Sequence, residues 1–424
     1  MVSLVMNGRT QLGRQIEHWA AASARLGDLD LFAATDAWVG LENYLNLRLR
    51  ESLQGAVSNL QQDVTQLRRL WLQADTKQAL KKLQQLIVRV RRQYLRVETL
   101  LDFYVDAINT RANPRMAALL TACDRMVFRS MQGILTPLGK QIPPILTYIG
   151  EGLGAAILKA GLRLWDRHTE SPAASIKLAR HNLYRPTALI HEAGHQVAHI
   201  LGWNQELAEV FSRELPEAVA PTWASWASEV AADTFAFAHT GYAAVAGLHD
   251  VVAHNPRSVF QFIEGDPHPI SYIRVLLGVE MCRQFYGRGP WDGMEQAWRF
   301  HYPLSTADSE VRSLMDGSLR ALPKVAAVCL REPLRAFGSR PLIHFVNPGR
   351  VSPQSLLAME EKLGKSLYLS SHWLETESLR ILALTGYRIA VAPRRAAALI
   401  RQQEEWMQRA GTVSVKHQHL AAIL

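Results

Sequence analysis

The chain has 424 residues, of which 48% are hydrophobic and 20% charged, a composition typical of folded globular proteins of about two to four domains. It excludes disordered, collagen-like and disulfide-framework proteins, because apolar residues are plentiful and only three cysteines are present. The net charge of +9 is uneven: residues 1–170 carry 22 basic and 15 acidic residues, residues 171–300 carry 9 and 13, and residues 301–424 carry 16 and 10. An acidic segment between two basic flanks indicates a functional division along the chain.

The N-terminal residues MVSLVMNGRT lack the basic stretch and long apolar run of a secretory signal. The cysteines are too few and too far apart for a disulfide framework or a cysteine zinc site, so we interpret Cys123, Cys282 and Cys329 as buried thiols in a reducing compartment. We therefore expect a cytoplasmic protein, and signal-independent export is the open alternative.

The clearest periodicity runs through residues 42–112, where apolar residues recur at spacings of three and four in two successive stretches. Asp75 and Gln78 have capping-box spacing between the stretches, and Asn113-Pro114 ends the second one. The pattern predicts an antiparallel, coiled-coil-like helical hairpin with arms of about 30 residues, or about 45 Å. Such a hairpin could dock a protein partner.

Four arginines lie close together on the second arm of this hairpin: Arg89, Arg91, Arg92 and Arg96. A solvated helix face explains them most simply. A surface for nucleic acid or anionic lipid is the alternative. No aromatic residues are interleaved with the arginines in the way that single-strand binders require, so nucleic-acid binding is not expected, whereas association with a membrane surface stays open.

Further helices are predicted at residues 115–132 and 144–165. The second stretch is the most membrane-like in the chain, but it contains Glu151, Lys159 and Arg163. A membrane span needs about 20 mostly apolar residues, so we interpret this stretch as a buried or interfacial helix. Residues 166–185 leave room for one or two short strands at most.

The segment PTALIHEAGHQVAHILGW contains His191-Glu192-Ala193-Gly194-His195 in an otherwise uncharged helical context. On a helix, His191 and His195 lie on one face, where two imidazoles can hold one metal ion. Glu192 could then take a proton from a zinc-bound water, whose pKa the metal lowers towards about 7. The motif therefore indicates a zinc site, and an ordinary helix that carries two histidines is the alternative.

A catalytic zinc normally takes three protein ligands, so a third must come from elsewhere. The pattern HExxHxxGxxH is not met, and His199 has rotated too far from His191 for one helix to present all three, so we assign His199 to packing or to supporting a ligand residue. Downstream, Glu229 and Asp233 are four residues apart on a largely apolar helix, where carboxylates are costly to bury without partners. Zinc for Glu229 and an imidazole N–H for Asp233 would supply partners. An exposed helix edge is the alternative.

The order His191-Glu192-x-x-His195 followed by Glu229-x-x-x-Asp233 resembles the gluzincin metallopeptidases, of which thermolysin is a member. By that resemblance, the zinc ligands would be His191, His195 and Glu229. Glu192 would be the general base, and Asp233 would orient a zinc-bound histidine. The resemblance covers about a quarter of the chain and implies zinc-dependent hydrolysis of a protein or peptide substrate.

The segment Asp266-Pro267-His268-Pro269, with Arg274 downstream, is similar to a His-Pro segment and arginine of CAAX-prenyl-protease-like and HtpX-like gluzincins. That similarity would place His268 near the zinc as a catalytic residue for substrate or oxyanion binding, and would pair Arg274 with an acidic group of the site. The nearest tyrosines in sequence, Tyr242 and Tyr272, are other candidates for the oxyanion. A simple turn is the alternative for this segment.

The sequence changes in character after about residue 336. Strand-like runs at Leu342–Val346, Leu367–Leu369 and Tyr387–Val391 alternate with helical patterns, which predicts a small α/β unit. The predicted fold class is therefore mainly α with a small α/β part. We expect three domains: a helical region at 1–165, a zincin-like zinc domain at 166–335 and an α/β domain at 336–424.

Two functions fit these features. The first is a zinc peptidase whose helical hairpin acts as a gate or docking arm. The second is a non-catalytic, zinc-containing scaffold that works through the hairpin and the C-terminal domain. The presence of Glu192 favours the peptidase, because a purely structural zinc site has no need of a base.

Overall fold

The computed structural model describes residues 2–151, 155–161 and 171–412. The described chain is mainly helical with one three-stranded sheet, which confirms the predicted fold class. It divides into two compact units: unit 1 comprises Met1–Asn113 and Leu158–Ser175, and unit 2 comprises Pro114–Ile157 and Ile176–Leu424. The domain boundaries expected after residues 165 and 335 do not coincide with this division.

Unit 1 contains the predicted hairpin. Its helices are α1 (Val2–Leu26), α2 (Thr35–Leu45), α3 (Leu49–Leu72) and α4 (Lys77–Arg111). Helices α3 and α4 contact each other across a four-residue turn, and α1 packs against both. The stripe predicted from the spacing is buried between them, for example Leu60 on α3 and Ile87 on α4.

The sequence pattern predicts the C-terminal end of α4 correctly but not the residue that caps its N-terminus. Its N-cap is Thr76, whose side chain accepts a hydrogen bond from the Ala79 N–H, instead of the predicted Asp75. Thr76 has the extended backbone that an N-cap requires. At the other end, α4 stops at Arg111 and the next helix begins at Pro114, as predicted.

Unit 2 is built from the remaining helices. They are α5 (Pro114–Leu135), α6 (Thr187–Leu201), α7 (Trp203–Glu214), α8 (Ala220–Ser225), α9 (Ala227–Thr240), α10 (Tyr242–Val252), α11 (Pro256–Val259), α12 (Ser271–Tyr286), α13 (Pro290–His301), α14 (Ser309–Arg331), α15 (Leu342–Phe345), α16 (Pro353–Leu363), α17 (Ser366–Leu369), α18 (Ser371–Thr376), α19 (Ser378–Val391) and α20 (Ala396–Thr412). The most extensive packing is between α6 and α9, and α20 lies along α5. The core of the unit therefore lies around α6 and α9.

The sheet has the order β1-β3-β2, with β1 at Ile145–Ile149, β2 at Ala156–Leu158 and β3 at Ala174–Leu178. Strand β3 falls in the region where the sequence left room for short strands. The helix predicted at 144–165 is wrong in its described part, which forms β1 and β2; residues 152–154 and 162–165 lie outside the described residues. Strand β1 follows two prolines and contains two isoleucines and a threonine, which favour extended backbone.

The strands predicted after residue 336 are also wrong. Leu342–Val346 begins with the short helix α15, Leu367–Leu369 lies within α17, and Tyr387–Val391 is the last part of α19. The buried side chains of α19 recur at helical spacing, so the apolar run at its end continues a helical stripe. The α/β part of the fold is therefore the sheet that precedes α6.

Cys123, Cys282 and Cys329 are buried free thiols, as predicted. Burial raises the pKa of Cys329 to about 12, so this thiol is not a nucleophile at neutral pH. Among the residues that the structure describes, no helix combines the length and apolarity needed to cross a membrane.

Candidate metal centre

Helices α6 and α9 position the histidine and carboxylate side chains of the candidate site. Gly194 allows their close approach: a Cβ at this position would lie 2.8 Å from Ala232 Cα and 2.9 Å from Phe235 Cβ. Ordinary carbon contacts are about 3.5–4.0 Å, so a larger residue would push the helices apart. At the end of α6, Gly202 adopts a left-handed conformation with φ 68° and terminates the helix.

The predicted ligands His191, His195 and Glu229 lie together. His191 Nε2 is 3.4 Å from Glu229 Oε2, and His195 Nε2 is 3.1 Å from Glu229 Oε1. One nitrogen or oxygen atom of each residue lies within 4.8 Å of the others. Zinc bonds of about 2.0–2.2 Å at tetrahedral angles separate ligand atoms by about 3.4 Å. Two imidazoles and a carboxylate at these separations are a donor set that fits catalytic zinc.

Asp233 lies one turn after Glu229 on α9 and contacts His191 from the side away from Glu229. Asp233 Oδ1 is 2.9 Å from His191 Nδ1. A hydrogen bond here needs the proton on Nδ1, so a metal ion that replaces the Nε2 proton would meet the Nε2 lone pair. The structure thus identifies His191 as the imidazole that Asp233 orients, a choice that the sequence left open.

Arg274 on α12 pairs with both carboxylates of α9. Its Nη2 lies 2.9 Å from Asp233 Oδ1 and 3.0 Å from Glu229 Oε2. Although burial favours the protonated form of Asp233, the Arg274 charge and the hydrogen bond with His191 hold the pKa of Asp233 below its usual value. Arg274 therefore compensates the buried negative charge of the site, as the sequence similarity implied.

Glu192 is buried beside the other site residues, with 7% of its surface exposed. Burial raises the pKa of Glu192, and the positive charge of His191 opposes this rise. No other residue that the structure describes donates a hydrogen bond to its carboxylate. The group is thus a base of increased proton affinity that is available to a small molecule in the site.

His191 and Glu229 influence each other's proton affinity. Burial alone would lower the pKa of His191, but hydrogen bonds with Asp233 and Glu229 raise it to about 9. Burial likewise favours protonated Glu229, but hydrogen bonds with His191 and His195 bring the pKa of Glu229 well below its usual value. Glu229 is therefore a carboxylate, the form that binds a metal ion.

His268 lies at the exposed edge of the site, on the loop between α11 and α12. Its Nε2 is 3.7 Å from Glu229 Oε1, and its Nδ1 is 2.6 Å from Asp266 Oδ1. Asp266 also accepts a hydrogen bond from the His268 backbone N–H. The His268 side chain is 59% exposed, which makes this edge the side that solvent reaches.

The two tyrosines suggested by the sequence do not join these groups. Tyr242 is buried against Trp291, and burial raises the pKa of Tyr242 to about 12. Tyr272 is buried against Phe260 and Trp298. Both belong to the aromatic core, so neither is a candidate for binding the oxyanion.

Sequence reasoning missed three features of the site. Ser228 Oγ lies 3.4 Å from His195 Nδ1, and Asp266 holds His268. Gly194 sets the spacing of α6 and α9. Nothing in the sequence indicated that Ser228, next to Glu229, would approach His195. Asp266, by contrast, belongs to the Asp266–Pro269 segment that the sequence had already indicated as part of the site.

Comparison with known proteins adds no assignment to this geometry. No family profile matches the chain, and no curated protein or solved structure is significantly similar to it.

Proposed function

We propose that this protein is a zinc-dependent metallopeptidase of the gluzincin type. The observation that carries the proposal is the meeting of His191, His195 and Glu229, with Asp233 behind His191. A structural zinc site would require a fourth protein ligand, whereas the described donor set contains three, as catalytic sites do.

Zinc bound at these three residues would polarise a peptide carbonyl and make water a stronger acid. Glu192 then takes a proton from the attacking water as the new carbon–oxygen bond forms. The same carboxyl group passes that proton to the amide nitrogen as the carbon–nitrogen bond breaks. Its buried position supports both steps, because a raised pKa brings its proton affinity closer to neutral pH.

The exposed edge around His268 is where we place the substrate. His268 would hydrogen-bond the substrate, and Asp266 holds its ring in place. The same loop carries Ile263 and Phe262, both exposed, and the Phe262 ring packs on Trp226 at the start of α9. These apolar side chains favour a peptide with a hydrophobic residue near the cleaved bond. The buried free thiols support a cytoplasmic location.

The test is the Glu192→Gln variant, assayed for zinc content and for cleavage of a mixture of unstructured peptides by mass spectrometry. Glu192 is not a ligand in the proposed site, so the variant should keep one zinc per chain and lose cleavage at least about 100-fold. Glu209→Gln is the matched control, since Glu209 lies on α7 with a side chain that is 64% exposed.

The outcomes distinguish a zinc peptidase from a non-catalytic, zinc-containing scaffold and test the role of Glu192. Cleavage by the wild type and the control, but not by Glu192→Gln, would support the peptidase. Full zinc content in all three proteins with no cleavage of any peptide would favour the non-catalytic scaffold. Undiminished cleavage by Glu192→Gln would refute the role of Glu192 as the base.

A further inference from the structure

The first half of α4 in unit 1 carries a concentrated positive charge. Between Lys77 and Val97 the helix contains seven basic residues and no acidic one: Lys77, Lys81, Lys82, Arg89, Arg91, Arg92 and Arg96. All seven are exposed. This stretch of about 20 residues is about 30 Å long. The proposed peptidase chemistry assigns no role to this positive charge.

Six of these seven cations are not balanced by carboxylates of the described residues. Apart from Arg96, none of them forms an ion pair with a residue that the structure describes. By contrast, Arg68 on α3 pairs with Glu17 on α1, and Arg50 pairs with Glu42. Some basic residues elsewhere in unit 1 are thus neutralised, whereas the outer face of α4 keeps six cations without an ion pair to a described residue.

The outer face is not purely polar. Lys81, Gln85, Val88, Arg92 and Leu95 follow each other at spacings of three and four, so they share the face opposite the buried stripe. Val88 is 43% exposed and Leu95 is 45% exposed. Basic and aliphatic side chains thus alternate along one line, flanked by the other arginines and lysines.

The same combination is found at the turn that leads into α4. Leu72, the last residue of α3, and Met6 on α1 are each 65% exposed. Leu72 follows Trp71, whose indole N–H donates to the Arg9 carbonyl, while Arg9 donates to the Leu72 carbonyl. Exposed aliphatic side chains of unit 1 therefore also occur outside α4, at Met6 and Leu72.

We propose that the outer face of α4, from Lys77 to Arg96, binds the surface of an anionic lipid bilayer. Lysine and arginine pair with lipid phosphates, and their long aliphatic stems let neighbouring apolar side chains enter the headgroup region. Val88 and Leu95 have no role in binding a phosphodiester backbone, and the outer face of α4 offers no exposed aromatic ring for stacking on bases. The mixture of cations and aliphatics therefore fits a lipid surface better than a nucleic acid.

The test uses the full chain and vesicles of phosphatidylcholine with about 30% phosphatidylglycerol, against vesicles of phosphatidylcholine alone. Co-sedimentation at about 0.1 M salt should show binding to the anionic vesicles only. The triple variant Lys81→Gln, Arg89→Gln, Arg92→Gln removes three exposed charges and should lower the partition coefficient about 100-fold. The matched control, Arg394→Gln, Arg395→Gln, Arg401→Gln, removes three exposed charges in and next to α20 and should bind like the wild type.

A further variant, Val88→Ser with Leu95→Ser, separates the apolar contribution from the charge. It should weaken vesicle binding and make the remaining binding more sensitive to salt. Circular dichroism checks that each variant keeps its helices. Equal binding to both kinds of vesicle, or equal losses in the α4 and control triple variants, would overturn the proposal. Tighter binding of polyuridylate or polyglutamate than of anionic vesicles would also overturn it, in favour of a nucleic acid or an acidic protein.

Discussion

The packing of α6 on α9 allows a direct test of how the site is built, through the substitution Gly194→Ala. The new methyl group would lie 2.8 Å from Ala232 Cα, 2.9 Å from Phe235 Cβ and 3.2 Å from the Ala232 carbonyl oxygen. Two of these contacts are with backbone atoms, which cannot rotate away. The helices must therefore separate by about 1 Å to restore ordinary contacts.

Two opposing contributions set the expected magnitude. Overpacking of this kind costs about 1–3 kcal/mol, whereas alanine is favoured over glycine inside a helix by about 1 kcal/mol. We expect a net destabilisation of about 1 kcal/mol. The effect on metal binding should be larger, because a shift of about 1 Å between His195 and Glu229 exceeds the tolerance of about 0.2 Å for zinc bonds. Zinc affinity should fall at least about 10-fold.

The assay combines urea unfolding with zinc competition against a chelator. The matched control is Gly133→Ala on α5, where a Cβ would meet no atom within 4 Å. That variant should be up to about 1 kcal/mol more stable than the wild type and bind zinc equally well. If Gly194→Ala were also stabilised and kept full zinc affinity, the argument that this glycine sets the geometry of the site would be refuted.

Two further substitutions test the buried charges of unit 2. Arg274→Gln removes the guanidinium that pairs with both Asp233 and Glu229, so urea unfolding of metal-free protein should show a loss of about 3–5 kcal/mol. Arg283→Gln, which breaks more exposed pairs, should lose less than about 1 kcal/mol, and equal losses would contradict this reasoning. Burial lowers the pKa of His239 to about 3, below its unfolded value of about 6.5, so its neutral form contributes stability that is lost as pH falls below 6.5. Between pH 7.5 and pH 5, His239→Phe should therefore lose about 2 kcal/mol less stability than the wild type, while His181→Phe, at an exposed position, should match the wild type. An unchanged pH dependence in His239→Phe would show that this imidazole is not kept neutral by burial.

Local periodicity predicted the hairpin of unit 1 well, because its two helices bury long, regular stripes against each other. Short apolar runs were predicted poorly. Tyr387–Val391 looks like a strand when read alone, but it ends a helix whose buried stripe begins at Ser378. At 144–165 an apolar composition suggested a helix, whereas strand pairing with β3 determines the structure of β1. Pairing between distant segments is not visible in a short window of sequence.

The candidate site shows the same distinction between local and distant contacts. Helical spacing alone places His191 and His195 on one face. Glu229 comes from a separate helix, so the cost of burying it and the family resemblance indicated its role, and the partner of Asp233 became known only from the structure. The glycine that lets the two helices meet had no recognisable signal, since a glycine in a helix usually indicates only lower helix stability.

The central claim is that His191, His195 and Glu229 hold one zinc ion. It is tested most directly by measuring zinc per chain after equilibrium dialysis of the wild type, His191→Ala and Glu229→Ala, with His199→Ala as the matched control on the same helix. The account predicts one equivalent of zinc in the wild type and in His199→Ala, and a loss of stoichiometric zinc in the other two. One equivalent of zinc retained in both His191→Ala and Glu229→Ala would contradict it.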